Sequence, residues 1–218
     1  MKKTPFLDYI LFFKPRPGFV VTPILIDMNV IIFFLMVIAG LGFNEVNAAD
    51  LLAWGGNYRP YTMGGQWWRL LTSIFLHAGI AHVGMNMVFL LVIGLFLEPM
   101  VGSGRYFIAY LFTGIAAGVG SMLWYTAVSV GASGAIFGLI GVFISMLISP
   151  LINWSATKIV VGIAVVFIVY YYLYGFASGI DNVAHIVGLI SGVFIGYLFY
   201  PSVKKRRVAN EIRQRSGY

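Results

Sequence analysis

Four side chains in this 218-residue sequence have types and spacings that could do chemistry together: His82, Asn86, Ser133 and His185. His82 and Asn86 are four residues apart, so on a helix they project from one face. Ser133 lies in Gly131-Ala132-Ser133-Gly134, where the flanking glycines remove Cβ atoms that would block a close approach by another backbone or a substrate. A serine opening a helix is most often an N-cap. The unpaired N–H groups and partial positive charge of a helix start also suit an oxyanion formed beside it. A histidine brought within hydrogen-bond reach of that serine has the geometry a general base requires. The sequence contains no cysteine, which excludes disulfides, thiolate metal sites and a cysteine nucleophile.

The elements that would position these groups are membrane helices. Hydrophobic residues make up 60% of the chain and charged residues 10%, against roughly 25% charged in soluble domains. So few charges cannot cover a water-facing surface, and so much apolar residue excludes disorder. Aromatics at 17% suit interfacial belts. Six apolar stretches are long enough to cross a bilayer, at about 23–42, 79–98, 105–125, 132–149, 157–175 and 183–200. Of the 14 Lys and Arg residues, all but Arg59 and Arg69 fall on one side if the N-terminus is inside. That bias places both termini in the cytoplasm and agrees with an even number of spans. Net charge of +7 therefore has a membrane explanation, and nucleic acid is not an expected partner. The division expected is an N-terminal interfacial segment (1–22), a six-helix domain (23–200) and a basic cytoplasmic tail (201–218). The stretch Pro5 to Phe19, broken by prolines, reads as an interfacial cytoplasmic segment rather than a signal peptide.

Counting along these spans sets the depth of the polar groups. Even-numbered spans start at the outer face, so His82 and Asn86 (span two), Ser133 (span four) and His185 (span six) all lie in first turns, at one level of the outer half of the bilayer. Ionisable groups there are costly and are functional candidates. Gly134, Gly138 and Gly141 on span four, and Gly188, Gly192 and Gly196 on span six, have the small-residue spacing of closely packed membrane helices. Packing along those faces would carry His185 toward Ser133. The long first loop, Phe43 to Ala78, is expected to rest on the outer interface through Gln66-Trp67-Trp68-Arg69, with a Trp anchor and a snorkelling Arg as the ordinary reading.

In this order and at this depth, the motifs resemble the rhomboid family of intramembrane serine proteases over about Thr22 to Gly196. They are Gln66-Trp67-Trp68-Arg69, the His-x-x-x-Asn of His82 and Asn86, Gly131-Ala132-Ser133-Gly134, and Ala184-His185 followed by Gly188 and Gly192. Glu98 before Gly102 is a further similar feature. The resemblance implies an all-α polytopic bundle of six transmembrane helices, of the bacterial type, in which Ser133 is the nucleophile and His185 the base. His82, Asn86 and the Ser133 backbone N–H would stabilise the oxyanion. Gly131, Gly134 and Phe137 would support the site, and Trp68, Arg69, Glu98, Gly188 and Gly192 the structure. Phe137 stands where many relatives carry Tyr; its ring can stack on His185, but a hydroxyl is lost. Asp181, one turn before His185, is not assigned as a third member. The implied substrates are membrane-anchored proteins cleaved in or beside a transmembrane segment, and the implied location is a bacterial inner membrane with the site opening outward. The fifth span and the loop near Tyr174–Asp181 are the implied gating candidates. No cofactor or metal is expected, because no carboxylate cluster accompanies the histidines. The alternative is a non-catalytic rhomboid-like binding or chaperone factor; a transporter is weakened by the lack of an inverted repeat.

Overall fold

The computed structural model describes residues 15–147 and 181–216, and between them residues 158, 161, 162, 165–167 and 169. The described residues are helical apart from loops and two isolated β-bridges, Arg16 with Phe19 and Asn57 with Ser129. In chain order the elements are α1 (Val21–Ile38), three short helices α2 (Ala48–Ala53), α3 (Arg59–Met63) and α4 (Arg69–Thr72), a 3-10 turn (Ser73–Phe75), then α5 (Ile80–Val101), α6 (Ser103–Trp124), α7 (Ser133–Leu147) and α8 (Asn182–Ser216). α1, α5, α6 and the Asn182–Ala209 part of α8 are long and apolar enough to cross a membrane, and α7 is a shorter apolar helix. The chain is an all-α, polytopic membrane protein. These five helices correspond to expected spans one, two, three, four and six. The expected fifth span, 157–175, lies mostly outside the described residues; those described within it are helical.

Helix ends differ from the hydropathy reading for local reasons. α1 stops at Ile38, four residues before the expected limit, because Ala39 caps it and Gly40 turns the chain at φ 94°. Residues 39–42 are apolar enough that hydropathy alone carries the span through them. α5 continues past Pro99 to Val101, and Gly102, at φ 91°, separates it from α6. α8 runs through Pro201 to Ser216. Proline removes one backbone bond, but the Lys, Arg, Glu and Gln that follow are good helix formers.

α7 is the centre of the bundle, with 13 of its 15 residues buried. Its glycines are what allow this. A Cβ on Gly192 of α8 would lie 2.8 Å from the Cα of Gly138, and one on Gly188 would lie 3.5 Å from the Cα of Gly134. Gly141 faces α8 equally closely, its Cβ position lying 2.7 Å from Val193 N. On its other side α7 packs on α6, where a Cβ on Gly134 would lie 2.6 Å from the Ala117 Cβ. The backbones of α7 and α8 thus meet directly, and only small side chains, Ala117 and Thr113, separate α7 from α6; in lipid such packing replaces the missing hydrophobic drive.

α1 is tied to the bundle at one end by Glu98 of α5. Its N-cap, Val20, offers no side-chain cap. The Glu98 carboxylate accepts instead from the backbone N–H of Val20 (2.6 Å), Val21 (2.8 Å) and Thr22 (2.8 Å), from Thr22 Oγ1 (2.7 Å) and from Ser103 Oγ (2.7 Å). A carboxylate is favoured at a helix start both by those donors and by the helix dipole.

The first loop is built rather than merely long. Arg69 does not snorkel: it is 6% exposed and turned inward. Its Nε donates to Gln66 Oε1 (2.7 Å), its Nη1 to the carbonyls of Leu52 (2.6 Å) and Gly56 (3.0 Å), and the guanidinium lies over the Trp68 ring at 4.6 Å and the Tyr61 ring at 5.2 Å. One cation therefore gathers α2, α3 and α4. Trp67 and Trp68 remain half-exposed, as interfacial rings would be.

Candidate active site

The two bundle helices with the closest backbone packing are the two that carry Ser133 and His185. Ser133 is the first residue of α7 and His185 lies in the first turn of α8. His185 Nε2 and Ser133 Oγ are 2.8 Å apart, and both residues are buried. The Phe137 ring, one turn along α7, stacks on the His185 imidazole with centroids 4.4 Å apart and planes 14° apart. This fixes the imidazole plane, the part the resemblance left to a phenyl ring. Asp181 accepts from the Ala184 N–H through Oδ1 (3.0 Å), so this carboxylate serves as a cap for α8.

His82 and Asn86 approach from α5. A Cβ on Gly131 would lie 2.8 Å from His82 Nε2 and Cε1 and 3.6 Å from Asn86 Nδ2. Both side chains therefore face the segment that leads into Ser133. Gly131 is also at φ 120°, so this position is closed to a side chain by conformation and by space alike. Its N–H donates to the Ser73 carbonyl (2.9 Å), tying the approach to α7 onto the 3-10 turn. His82 is half-buried. Its Nδ1 accepts a long hydrogen bond from the Ala78 N–H (3.4 Å), which leaves the ring proton on Nε2, the nitrogen nearest Gly131.

A cavity of about 380 Å³ opens onto these groups, lined among others by Ser73, His82, Tyr125, Ser133, Asp181 and His185. Irregular backbone and polar groups at membrane depth are tolerated where they line such a cavity. Among the described residues, no group of three His, Cys, Asp or Glu side chains could hold a metal ion.

The structure brings His82, Gly131, Ser133, Gly134 and His185 to the wall of one cavity, with Asn86 beside Gly131 and Phe137 stacked on His185. Gly188 and Gly192 lie along the α7–α8 contact, and Trp68, Arg69 and Glu98 lie away from it in the loop and at the far end of α5. Sequence reasoning missed two supports. His77 is fully buried, with its ring edge-on to His82 at 5.0 Å. Burial, then the neighbouring His82, holds its pKa well below the ordinary histidine value. Asn57 donates to the Gly118 carbonyl (2.8 Å), accepts from Thr62 Oγ1 (2.8 Å) and pairs through its backbone with Ser129 on the cavity wall. Its setting in Gly55-Gly56-Asn57 carries no periodic signal. Only its polarity in an otherwise apolar chain could have drawn notice.

Comparison with known proteins gives a consistent picture. The Rhomboid domain family matches residues 64–202. The chain is 38% identical over 186 residues to the rhomboid protease GluP of Bacillus subtilis (strain 168), an alignment covering 84% of this chain and 35% of that protein. It is 31% identical over 171 residues to the putative rhomboid protease YdcA of the same organism, covering 75% of this chain and 84% of that one. With the rhomboid protease AarA of Providencia stuartii it shares 28% identity over 215 residues, 85% of this chain and 74% of that protein. The chain spans about a third of the length of GluP and of RHOMBOID-like protein 1 of Arabidopsis thaliana.

Proposed function

The chain belongs to the rhomboid family, and on that premise we propose that it is an intramembrane serine endopeptidase with Ser133 as nucleophile and His185 as general base. The observation that carries this reading is the 2.8 Å contact between His185 Nε2 and Ser133 Oγ at the head of a cavity. In the neutral tautomer with the proton on Nδ1, His185 accepts the Ser133 proton as Oγ attacks a peptide carbonyl. It returns that proton to the leaving amine, and water then hydrolyses the acyl-enzyme. The oxyanion would form beside Gly131 and be met by His82 Nε2–H, the Asn86 amide and the Ser133 N–H at the α7 start. Gly131 keeps the approach free of a side chain, and Gly134 supports the site by letting α7 close on α6.

The substrates are membrane-anchored proteins whose scissile segment can leave its helical form, since a helix hides its peptide bonds. The division into an interfacial segment (1–22), a catalytic bundle (23–200) and a basic tail (201–218) belongs to the same reading. So does placement in a bacterial inner membrane with both termini cytoplasmic and the cavity opening outward, motivated by the distribution of Lys and Arg.

An activity-based serine probe tests the assignment, alongside cleavage of a membrane-anchored reporter. Covalent labelling of Ser133 that is lost in His185→Ala, with cleavage lost in both His185→Ala and Ser133→Ala while each variant stays folded, is the expected result. Labelling that persists without His185, or wild-type cleavage by either variant, ends the reading. Asn86→Ala is expected to lower turnover by about 10²–10³, a smaller loss than Ser133→Ala gives; equal losses would remove Asn86 from the oxyanion site.

A further inference from the structure

At the opposite end of the bundle from Ser133, two arginines from different helices converge on one glycine. A Cβ on Gly102, between α5 and α6, would lie 2.6 Å from Arg206 Nη1 and 3.9 Å from Arg105 Nη1. Arg105 is half-buried and spends one N–H on the Val101 carbonyl (3.1 Å). Arg206 of α8 is exposed, as are its neighbours Lys204, Lys205 and Arg207, and its guanidinium lies against the turn. No carboxylate among the described residues answers the two guanidinium groups. Glu98, the acid on the last turn of α5, is taken up by four donors at the start of α1 and by Ser103 Oγ.

A general excess of positive charge at a membrane face needs no such arrangement. Surface charges can spread, and like charges drawn together cost energy unless an anion lies between them. Here the glycine, which has no side chain to hold them apart, lets both guanidinium groups close on the turn. Their planar forks match the oxygens of a phosphate group. The position fits the headgroup layer: α5 ends and α6 begins at this turn, and α8 changes there from apolar residues to Lys204-Lys205-Arg206-Arg207.

We propose that Arg105 and Arg206 form a binding site for the phosphate of an anionic lipid headgroup at the α5–α6 turn. The acyl chains of that lipid would lie along the apolar faces of α6 and α8, which are exposed at Phe107, Ile108, Phe194 and Leu198. This site is separate from the catalytic reading and stands or falls without it.

Native mass spectrometry of the purified full chain, supplied with phosphatidylglycerol and phosphatidylcholine, tests the proposal. The wild type and the Ser133→Ala variant are expected to retain phosphatidylglycerol preferentially. Arg105→Gln with Arg206→Gln is expected to lose roughly twentyfold or more of that preference, at about fivefold for each basic group near the headgroups. Arg206→Lys, which keeps the charge and loses the fork, should give an intermediate loss. The exposed pair Lys204→Gln with Lys205→Gln is the control and should lose much less than the arginine pair. Equal losses for the two pairs mean diffuse attraction and overturn the site, as does an arginine variant that loses nothing while melting like the wild type. Full displacement of the lipid by equimolar inorganic phosphate identifies a soluble anion as the ligand and overturns the lipid assignment.

Discussion

α7 and α1 are both apolar helices, yet they are held in opposite ways. α7 buries 13 of 15 residues, and glycines bring its backbone against α6 and α8 along its length. α1 buries 7 of 18 residues, leaves Ile31 58% and Ile38 80% exposed, and is gripped at its start by Glu98. The helix that must place an oxygen within reach of an imidazole has no freedom to adjust. The helix that faces lipid needs an anchor and little else. Tolerance to substitution should follow the same division.

The largest effect is expected at Gly192. Gly192→Val puts a branched side chain where even a Cβ would meet the Gly138 backbone, and expansion cannot be absorbed by atoms of a helix core. Loss of folded protein, seen as lost resistance to detergent denaturation, is the expected result; a folded variant that still labels at Ser133 would break the comparison. Next is Glu98→Ala, which strands five donors and should cost on the order of 3 kcal/mol, the worth of a hydrogen bond or two to a charged group. Its folded fraction should keep serine-probe labelling, because Glu98 lies 16 residues, about 24 Å, along α5 from His82. Denaturant titration and labelling on one sample separate the two outcomes. A third effect comes from His77 on the rigid side. Its folded pKa is depressed by burial, so the unfolded chain binds the proton first. Stability should therefore fall as pH drops below about 6.5, the unfolded histidine value. Part of that slope should disappear in His77→Gln, and an unchanged slope would exclude His77 as its source. The smallest effect is expected on the lipid-facing side of α1, where Ile31→Ala should stay within about 0.5 kcal/mol; a loss several times larger would mean that this face is packed against something.

Much of the site was legible because its depth can be counted. First turns of alternate spans lie at one face, and this alone levels His82, Asn86, Ser133 and His185. The glycine spacing on spans four and six foretold the approach that joins two of them, though not that Gly134 also opens onto Ala117 of α6. The loop was hidden for a physical reason. Arg69 looked like an interfacial snorkel because its neighbours in sequence are tryptophans, whereas its acceptors at Leu52 and Gly56 lie 17 and 13 residues away. The grip of Glu98 on Val20 spans 78 residues, and no local pattern reports a bond of that range. Pattern reading fixes which face a residue occupies; only packing decides whether a buried charge has partners.

The grip of Glu98 has one more consequence. The carboxylate belongs to the end of α5, and its donors open both α1 and α6, so a single side chain couples three helix ends. Any sliding of α1 past α6 must first give up charge-assisted bonds. At that end of the bundle the three helices should therefore shift as one unit, and bending should be confined to their opposite ends.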